Sequence, residues 1–197
     1  MKNIGLLVMR LVLGSLLAAH GAQKLFGWFS GPGLQGTAGM MEKLGVRPGR
    51  IWGPAAGLGE FMGGTLTALG FLWPIGPLNI MAAMAVAIRK AHWKLPIFAG
   101  QGGAELPLTN FAAAGLLAVI GPGRYSLDHV LGMRMPIPLR IGAGIFTAVT
   151  TYAALRHPEV AEAVVNKATS AIPLQPTPEP SVMMETRPPA AERQGAQ

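Results

Sequence analysis

Long apolar runs separated by short polar gaps constrain the fold of this chain more than any other feature. The first run, residues 4–25, is 22 residues long and can cross a hydrocarbon core of about 30 Å. Only 13% of the 197 residues are charged, whereas soluble domains usually carry about 25%. The sequence therefore predicts an all-α integral membrane protein: a four-helix bundle with an added fifth apolar helix and a disordered C-terminal tail.

Three regions are expected along the chain. Residues 1–130 are predicted to form the four-helix membrane domain. Residues 131–156 are predicted to be a connector and a fifth transmembrane helix, whose apolar part, 140–155, is a marginal span at about 15 residues. Residues 157–197 are Pro-rich with mixed charge; such a segment buries too little apolar surface to fold alone, so it is predicted to be disordered.

Three further apolar runs follow the first within the four-helix domain. They cover residues 51–72, 77–88 and 105–120. Snorkelling basic side chains can extend the third run to Trp93. A short surface helix is expected over residues 37–44.

The second run, residues 51–72, carries a single charge, Glu60. Small residues lie within roughly 60° of Glu60 on a helical projection: Gly53, Ala56, Gly57, Gly63, Gly64 and Thr67. Such a stripe lets a neighbouring backbone approach closely, as at membrane helix interfaces. Glu60 is therefore expected to point into a helix contact and not into lipid.

The chain has no cysteine, which excludes disulfides, thiol nucleophiles, thiolate-ligated zinc and the usual iron–sulfur clusters. Any redox role then needs a bound cofactor or a partner that supplies electrons.

The net charge of +7 comes from basic residues at helix ends, which suits membrane topology and anionic lipids rather than nucleic acid.

Lysine and arginine near the helix ends predict an orientation. The loops after the first and third runs hold seven of them against four on the opposite side, so the first set is expected to be cytoplasmic.

A signal peptide is the alternative for the N-terminus, because Ala19 and Gly21 have the small side chains of a cleavage site. Arg10 inside the run and the lack of a following soluble domain argue against it.

Ionisable residues at membrane depth normally face a bundle interior or a water-filled cavity. We expect six of them to converge: Arg10, His20, Lys24, Glu60, His92 and Glu105. The structural alternative is that they form ion pairs, such as Arg10 with Glu60, that fix helix register. Trp28 lies in the aromatic and glycine-rich segment that follows the first run, a position typical of the membrane interface.

Several motifs resemble the DoxX family of bacterial four-helix membrane proteins. They are Arg10, His20-Gly21-x-Gln23-Lys24, Gly27-Trp28-Phe29 with Gly31-Pro32-Gly33, Glu60, Gly102-Gly103-x-Glu105-Leu106, and Gly121-Pro122-Gly123-Arg124-Tyr125-Ser126-Leu127-Asp128. They cover roughly residues 4 to 130 in order. The chain departs from the family pattern in Pro107, the fifth apolar segment and the tail.

This resemblance implies a multi-pass protein of the bacterial cytoplasmic (inner) membrane. The family is named for a subunit associated with thiosulfate:quinone oxidoreduction, and other members are linked to membrane oxidoreductase or oxidant-defence (oxidative stress) complexes. It therefore implies a small oxidoreductase subunit that works in the lipid bilayer with protein partners or as a homo-oligomer.

The functional interpretation is a pocket for a quinone head group, whose carbonyl oxygens need proton donors when reduced. Glu60, His20 and Lys24 are the predicted catalytic residues. The predicted cofactor-binding residues are Arg10, His92, Glu105 and Trp28. No metal site is predicted, and the electrons are expected to come from a partner subunit.

Three alternatives remain open. His20 and His92 could be axial ligands of a b-type haem, since bis-imidazole ligation needs facing histidines. Glu60 on its glycine-rich stripe also suits a proton-coupled small-solute transporter, although the internal repeat typical of such proteins is absent. The third alternative is a non-catalytic membrane assembly factor.

Overall fold

The computed structural model describes residues 1–156, together with residues 163, 166 and 167. Residues 1–156 are helical and contain no β-strand. Their α-helices are α1 (Lys2–Phe26), α2 (Gly33–Lys43), α3 (Gly49–Leu69), α4 (Ile75–Ala87), α5 (Glu105–Ile120), α6 (Leu127–Val130) and α7 (Ile137–Arg156). All lie in one compact unit, Met1–Val164. The tail predicted to be disordered, 157–197, lies outside the described residues except for 163, 166 and 167.

The apolar runs are confirmed as helices. Residues 4–25 lie in α1, and the boundaries of α5 are those predicted. Residues 51–69 of the second run lie in α3, which ends at Leu69, so the last three residues of that run are outside the helix. Residues 140–155 lie within α7, which begins three residues earlier, at Ile137. The third run is α4, and a single π-helical turn, Ile88–His92, extends it toward Trp93.

The antiparallel helices α1 and α3 form the most extensive contact in the bundle. A Cβ atom added to Gly14 would lie 2.5 Å from the backbone nitrogen of Ala68 and 2.6 Å from the carbonyl oxygen of Gly64. One added to Gly64 would lie 2.5 Å from the carbonyl oxygen of Gly14. Only glycine permits backbones to approach this closely, so the small-residue stripe predicted on α3 is confirmed as a helix interface.

The apolar core lies between α1, α4 and α5. Its buried members include Leu13, Leu17, Ile80, Met84, Ala114 and Leu117. Helix α4 packs against α3, α5 and α7, so it joins α5 and α7 to the pair formed by α1 and α3.

Helix α2 packs against α3 and covers the C-terminal end of α1. The fully buried Thr37 hydroxyl donates to the carbonyl oxygens of Lys24, at 3.1 Å, and Gly33, at 2.7 Å. The predicted surface helix is thus present, but it begins at Gly33 and one of its polar side chains holds it to α1.

The outer faces of the bundle are strongly apolar. By length and composition, α1 is the one helix among the described residues that is long and apolar enough to cross a membrane, and α5 is apolar but shorter. Large apolar side chains are exposed along α1, α5 and α7, including Val8, Val12, Leu16, Leu116, Val119, Ile145, Phe146 and Val149. Contiguous exposed apolar surface on this scale is typical of a lipid or protein contact and not of a face in water.

Candidate functional site

An ion pair between Lys24 of α1 and Glu60 of α3 lies at the centre of the candidate site. The ammonium of Lys24 contacts Oε1 of Glu60, and the two side chains are 21% and 6% exposed. The other oxygen, Oε2, is buried and has no hydrogen-bond partner among the described residues. Since a buried carboxylate oxygen is costly to leave unsatisfied, Oε2 is available to a proton, a water or a ligand.

A cavity of about 410 Å³, here called the apolar cavity, opens on one side of this pair. Its walls come mainly from α2, α3, α4 and α7 and are mostly apolar; they include Met41, Val46, Trp52, Ala56, Ala82 and Ala154. Lys24, Glu60 and His92 supply the ionisable groups of its lining. A largely apolar cavity with a few convergent polar groups is the usual form of a small-molecule site.

A second cavity of about 270 Å³, here called the polar cavity, lies among α1, α3, α4 and α5. His20, Lys24, Glu60, His92 and Asn110 contribute its polar side chains. Lys24, Glu60 and His92 therefore line both cavities. Four of the six ionisable residues predicted to converge are brought together in this way.

The π-helical turn that follows α4 positions His92. Its Nδ1 lies 2.6 Å from the carbonyl oxygen of Gly102; because a carbonyl can only accept, Nδ1 carries the proton and Nε2 is the acceptor in the neutral ring. Single π turns often occur at functional sites. His20 is more exposed, and its Nδ1 lies 3.2 Å from Oε1 of Gln23.

Glu105 and Trp28 line neither cavity. The Glu105 carboxylate is exposed and accepts a hydrogen bond from the backbone nitrogen of Ala99 at 2.8 Å, so it holds the loop that carries Gly102. Trp28 is 57% exposed, and its ring centroid lies 5.2 Å from that of Phe26. The structure thus places both residues outside the lining of the candidate site.

The expected convergence of Arg10 with the other ionisable residues is wrong, as is its pairing with Glu60. Arg10 is fully buried, but it donates from Nη1 to the carbonyl oxygen of Pro122, at 2.7 Å, and from Nη2 to that of Tyr125, at 2.5 Å. The reason is axial distance: fourteen residues of α-helix separate Arg10 from Lys24, which is about 21 Å. Arg10 therefore belongs to the opposite end of the bundle.

Asp128 is a buried polar residue that the sequence analysis quoted only within the family motif, without predicting a role for it. Its two carboxylate oxygens accept from the backbone nitrogens of Leu72 and Trp73, each at 2.9 Å. Asp128 thus fastens the segment after α5 to the turn between α3 and α4, and Arg10 fastens the same segment to α1. The signal available in the sequence was Ser126, an N-cap residue type two residues before the acid, whose hydroxyl accepts from the backbone nitrogen of His129 at 3.3 Å.

The comparison with protein families supports the resemblance seen in the sequence. The family model for DoxX matches residues 5–93. This match includes the ion pair of Lys24 with Glu60, as well as Arg10, His20 and His92. Neither a curated protein nor a solved structure matches the chain. Residues 5–93 are therefore a DoxX domain, in a protein with at least one apolar helix of membrane-spanning length.

Proposed function

We propose that this protein is a small multi-pass subunit of an oxidoreductase system in the bacterial cytoplasmic membrane, and that it binds a quinone at the Lys24–Glu60 pair. In this proposal residues 1–130 form the four-helix membrane domain and α7 is an added membrane helix. The resemblance to DoxX points to sulfur-compound oxidation or oxidant defence as the setting.

The observation that carries the proposal is the composition of the apolar cavity. A quinone is a flat apolar ring, usually with an apolar tail, and its polar atoms are carbonyl oxygens. The apolar cavity offers apolar walls for the ring and tail, and Lys24 offers a hydrogen-bond donor to a carbonyl oxygen. The same side chain is held in place by Glu60, so the donor is preorganised.

The proton chemistry follows from the groups around the ion pair. Reduction of a quinone to a quinol takes two electrons and two protons, and positioned side chains must deliver the protons. Lys24 would donate one proton to a quinone oxygen. Protons taken up from water by way of Glu60 and His92, which also line the polar cavity, would reprotonate Lys24 and supply the second quinone oxygen. His20 also lines the polar cavity, and in this proposal it would take part in the same proton transfer. The electrons would come from a partner subunit.

Quenching of tryptophan fluorescence by a short-chain quinone tests this proposal, because Trp52 lines the apolar cavity. We expect decylubiquinone to quench the purified protein saturably, and Trp52→Phe to remove most of that signal. Glu60→Gln should weaken binding about tenfold, since Lys24 loses the charge that positions it. Glu105→Gln is the matched control because it lies outside both cavities and keeps an oxygen acceptor for Ala99. Quenching that does not saturate, or equal effects of the two substitutions, would contradict quinone binding here.

A proton-coupled transporter is the second candidate, because Lys24, Glu60 and His92 each line both cavities. An ionisable group between two compartments can pass a proton from one to the other. In proteoliposomes, a solute-dependent proton flux that Glu60→Gln abolishes would favour transport over the quinone reaction. If the same substitution instead prevented a partner complex from assembling, a non-catalytic assembly role would be favoured.

A further inference from the structure

A third cavity, of about 400 Å³, lies away from the ion pair, between the start of α4 and the chain from Pro122 to Arg140. We call it the basic cavity. Its polar lining comprises Trp73, Ser126, Asp128, His129, Arg134 and Arg140. None of these residues lines the other two cavities, so the basic cavity is independent of the quinone proposal.

Hydrogen-bond donors in the basic cavity are left without acceptors. The guanidinium of Arg134 and the ring of His129 make no hydrogen bond or ion pair with any residue of the described part. Arg140 uses Nε to donate to the carbonyl oxygen of Met135 at 2.9 Å. Its two Nη groups have no acceptor within the described residues. All three side chains therefore have donor groups to offer a ligand.

Trp73 gives a second and independent indication of a ligand. The residue is part of the lining of the basic cavity and is only 3% exposed, yet its Nε1 has no acceptor within the described residues. Buried indole N–H groups usually find a partner, and a buried donor without an acceptor destabilises the folded state. An acceptor within the cavity would remove that cost.

The charge balance of the basic cavity favours an anion. Its one carboxylate, Asp128, already accepts from two backbone nitrogens and is attracted to the buried Arg10. The positive charges of Arg134 and Arg140 are therefore not neutralised by it. Guanidinium groups bind phosphate through paired hydrogen bonds, and a tetrahedral phosphate presents oxygens in more directions than a carboxylate does.

We propose that the basic cavity binds a phosphate group, and that an anionic phospholipid head group supplies it. Four exposed apolar side chains lie within two residues of lining residues in the sequence, where acyl chains could lie: Val130, Leu131, Ile137 and Ile141. Basic pockets beside membrane helices are suited to such head groups. Binding would hold the segment between α5 and α7 against the turn before α4.

Calorimetric titration of the purified full-length protein in a neutral detergent tests this proposal. The probes are dihexanoyl phosphatidylglycerol and inorganic phosphate. Arg134→Gln/Arg140→Gln should weaken phosphatidylglycerol binding at least about tenfold, because two charge-assisted contacts are lost. Lys2→Gln/Arg124→Gln is the matched control, since it removes two cations that do not line the basic cavity. It should change the dissociation constant less than about twofold, because neither cation lines the basic cavity and distant exposed charges contribute little.

Two further variants keep the test decisive. Arg134→Lys/Arg140→Lys retains the charge and should bind with intermediate affinity, and Trp73→Phe should weaken binding severalfold through loss of one N–H donor. Equal saturable binding of inorganic phosphate, with the same pattern across variants, would support the site with free phosphate as the ligand. No saturable binding by the unmodified protein, or equal weakening by both double glutamine variants, would overturn the proposal.

Discussion

Lys24 and Glu60 form an ion pair that joins α1 to α3 within the bundle, and only one of the two carboxylate oxygens takes part in it. The pair lines both the apolar and the polar cavity. It therefore links helix packing to the chemistry proposed for this protein, because the contact that stabilises the helices also presents a free oxygen and a proton donor.

Breaking this pair from the lysine side should destabilise the protein. Lys24→Met leaves the buried Glu60 charge without compensation, and we expect a loss of about 3 kcal/mol in the free energy of unfolding. Lys24→Met/Glu60→Gln should lose less than the sum of the single variants, since neither partner is then left charged. Denaturant unfolding in detergent micelles measures both effects, and strictly additive losses would contradict an energetically coupled pair.

The close approach of α1 and α3 predicts a position-dependent effect of alanine. Gly64→Ala should cost about 2 kcal/mol, because its Cβ would meet the backbone of Gly14 and Ala18, as overpacked interfaces do. Gly59→Ala, on the same helix, meets nothing within 4 Å and should be neutral or stabilising by up to about 1 kcal/mol. Thermal unfolding of the two variants decides whether the glycine stripe is an interface.

Arg10 should control local opening of the segment from Pro122 to Asp128. Arg10→Ala leaves two carbonyl oxygens without their donor and Asp128 without its nearest buried cation, so trypsin cleavage after Arg124 should accelerate at least about tenfold. Arg10→Lys should recover part of the protection. Cleavage after Arg89 is the internal control, and acceleration there by the same factor would indicate global unfolding instead.

Thr37→Val tests how α2 is held on the bundle. The substitution keeps the shape but removes the hydroxyl that donates to the Lys24 carbonyl, and about 1 kcal/mol of stability should be lost. Thr109→Val is the matched control, because its exposed hydroxyl bonds only within its own helix, to Glu105 and Leu106. Similar losses in the two variants would show that the contact between α1 and α2 adds nothing.

Filling the apolar cavity should block quinone binding without touching the ion pair. Ala82 lines the apolar cavity alone, and Ala82→Phe should reduce the affinity for decylubiquinone about tenfold by occupying its volume. Ala112→Phe on the exposed side of α5 adds the same bulk elsewhere and should leave affinity unchanged. Fluorescence titration compares them, and an unchanged affinity in Ala82→Phe would place the quinone elsewhere.

Much of the fold could be predicted because it depends on local pattern. The apolar runs predicted the helices, and the small residues beside Glu60 predicted which face of α3 packs against another helix. The meeting of His20, Lys24, Glu60 and His92 was also predictable, since ionisable groups on apolar helices collect where they can be satisfied. No role was predicted for Asp128, because it lies in the four-residue helix α6, which is too short for a periodicity that marks a buried side.

The sequence by itself determined which apolar runs are helical and which face of α3 meets a neighbouring helix, because both follow from the spacing of apolar and small residues along one element. Only the tertiary structure decided which charges meet. Arg10 and Lys24 lie on nearly the same face of α1, so helical angle cannot distinguish them. The backbone contact of Gly14 with Gly64 sets the antiparallel register of α1 and α3. That register brings Glu60 level with Lys24 and leaves Arg10 about 21 Å away along the helix.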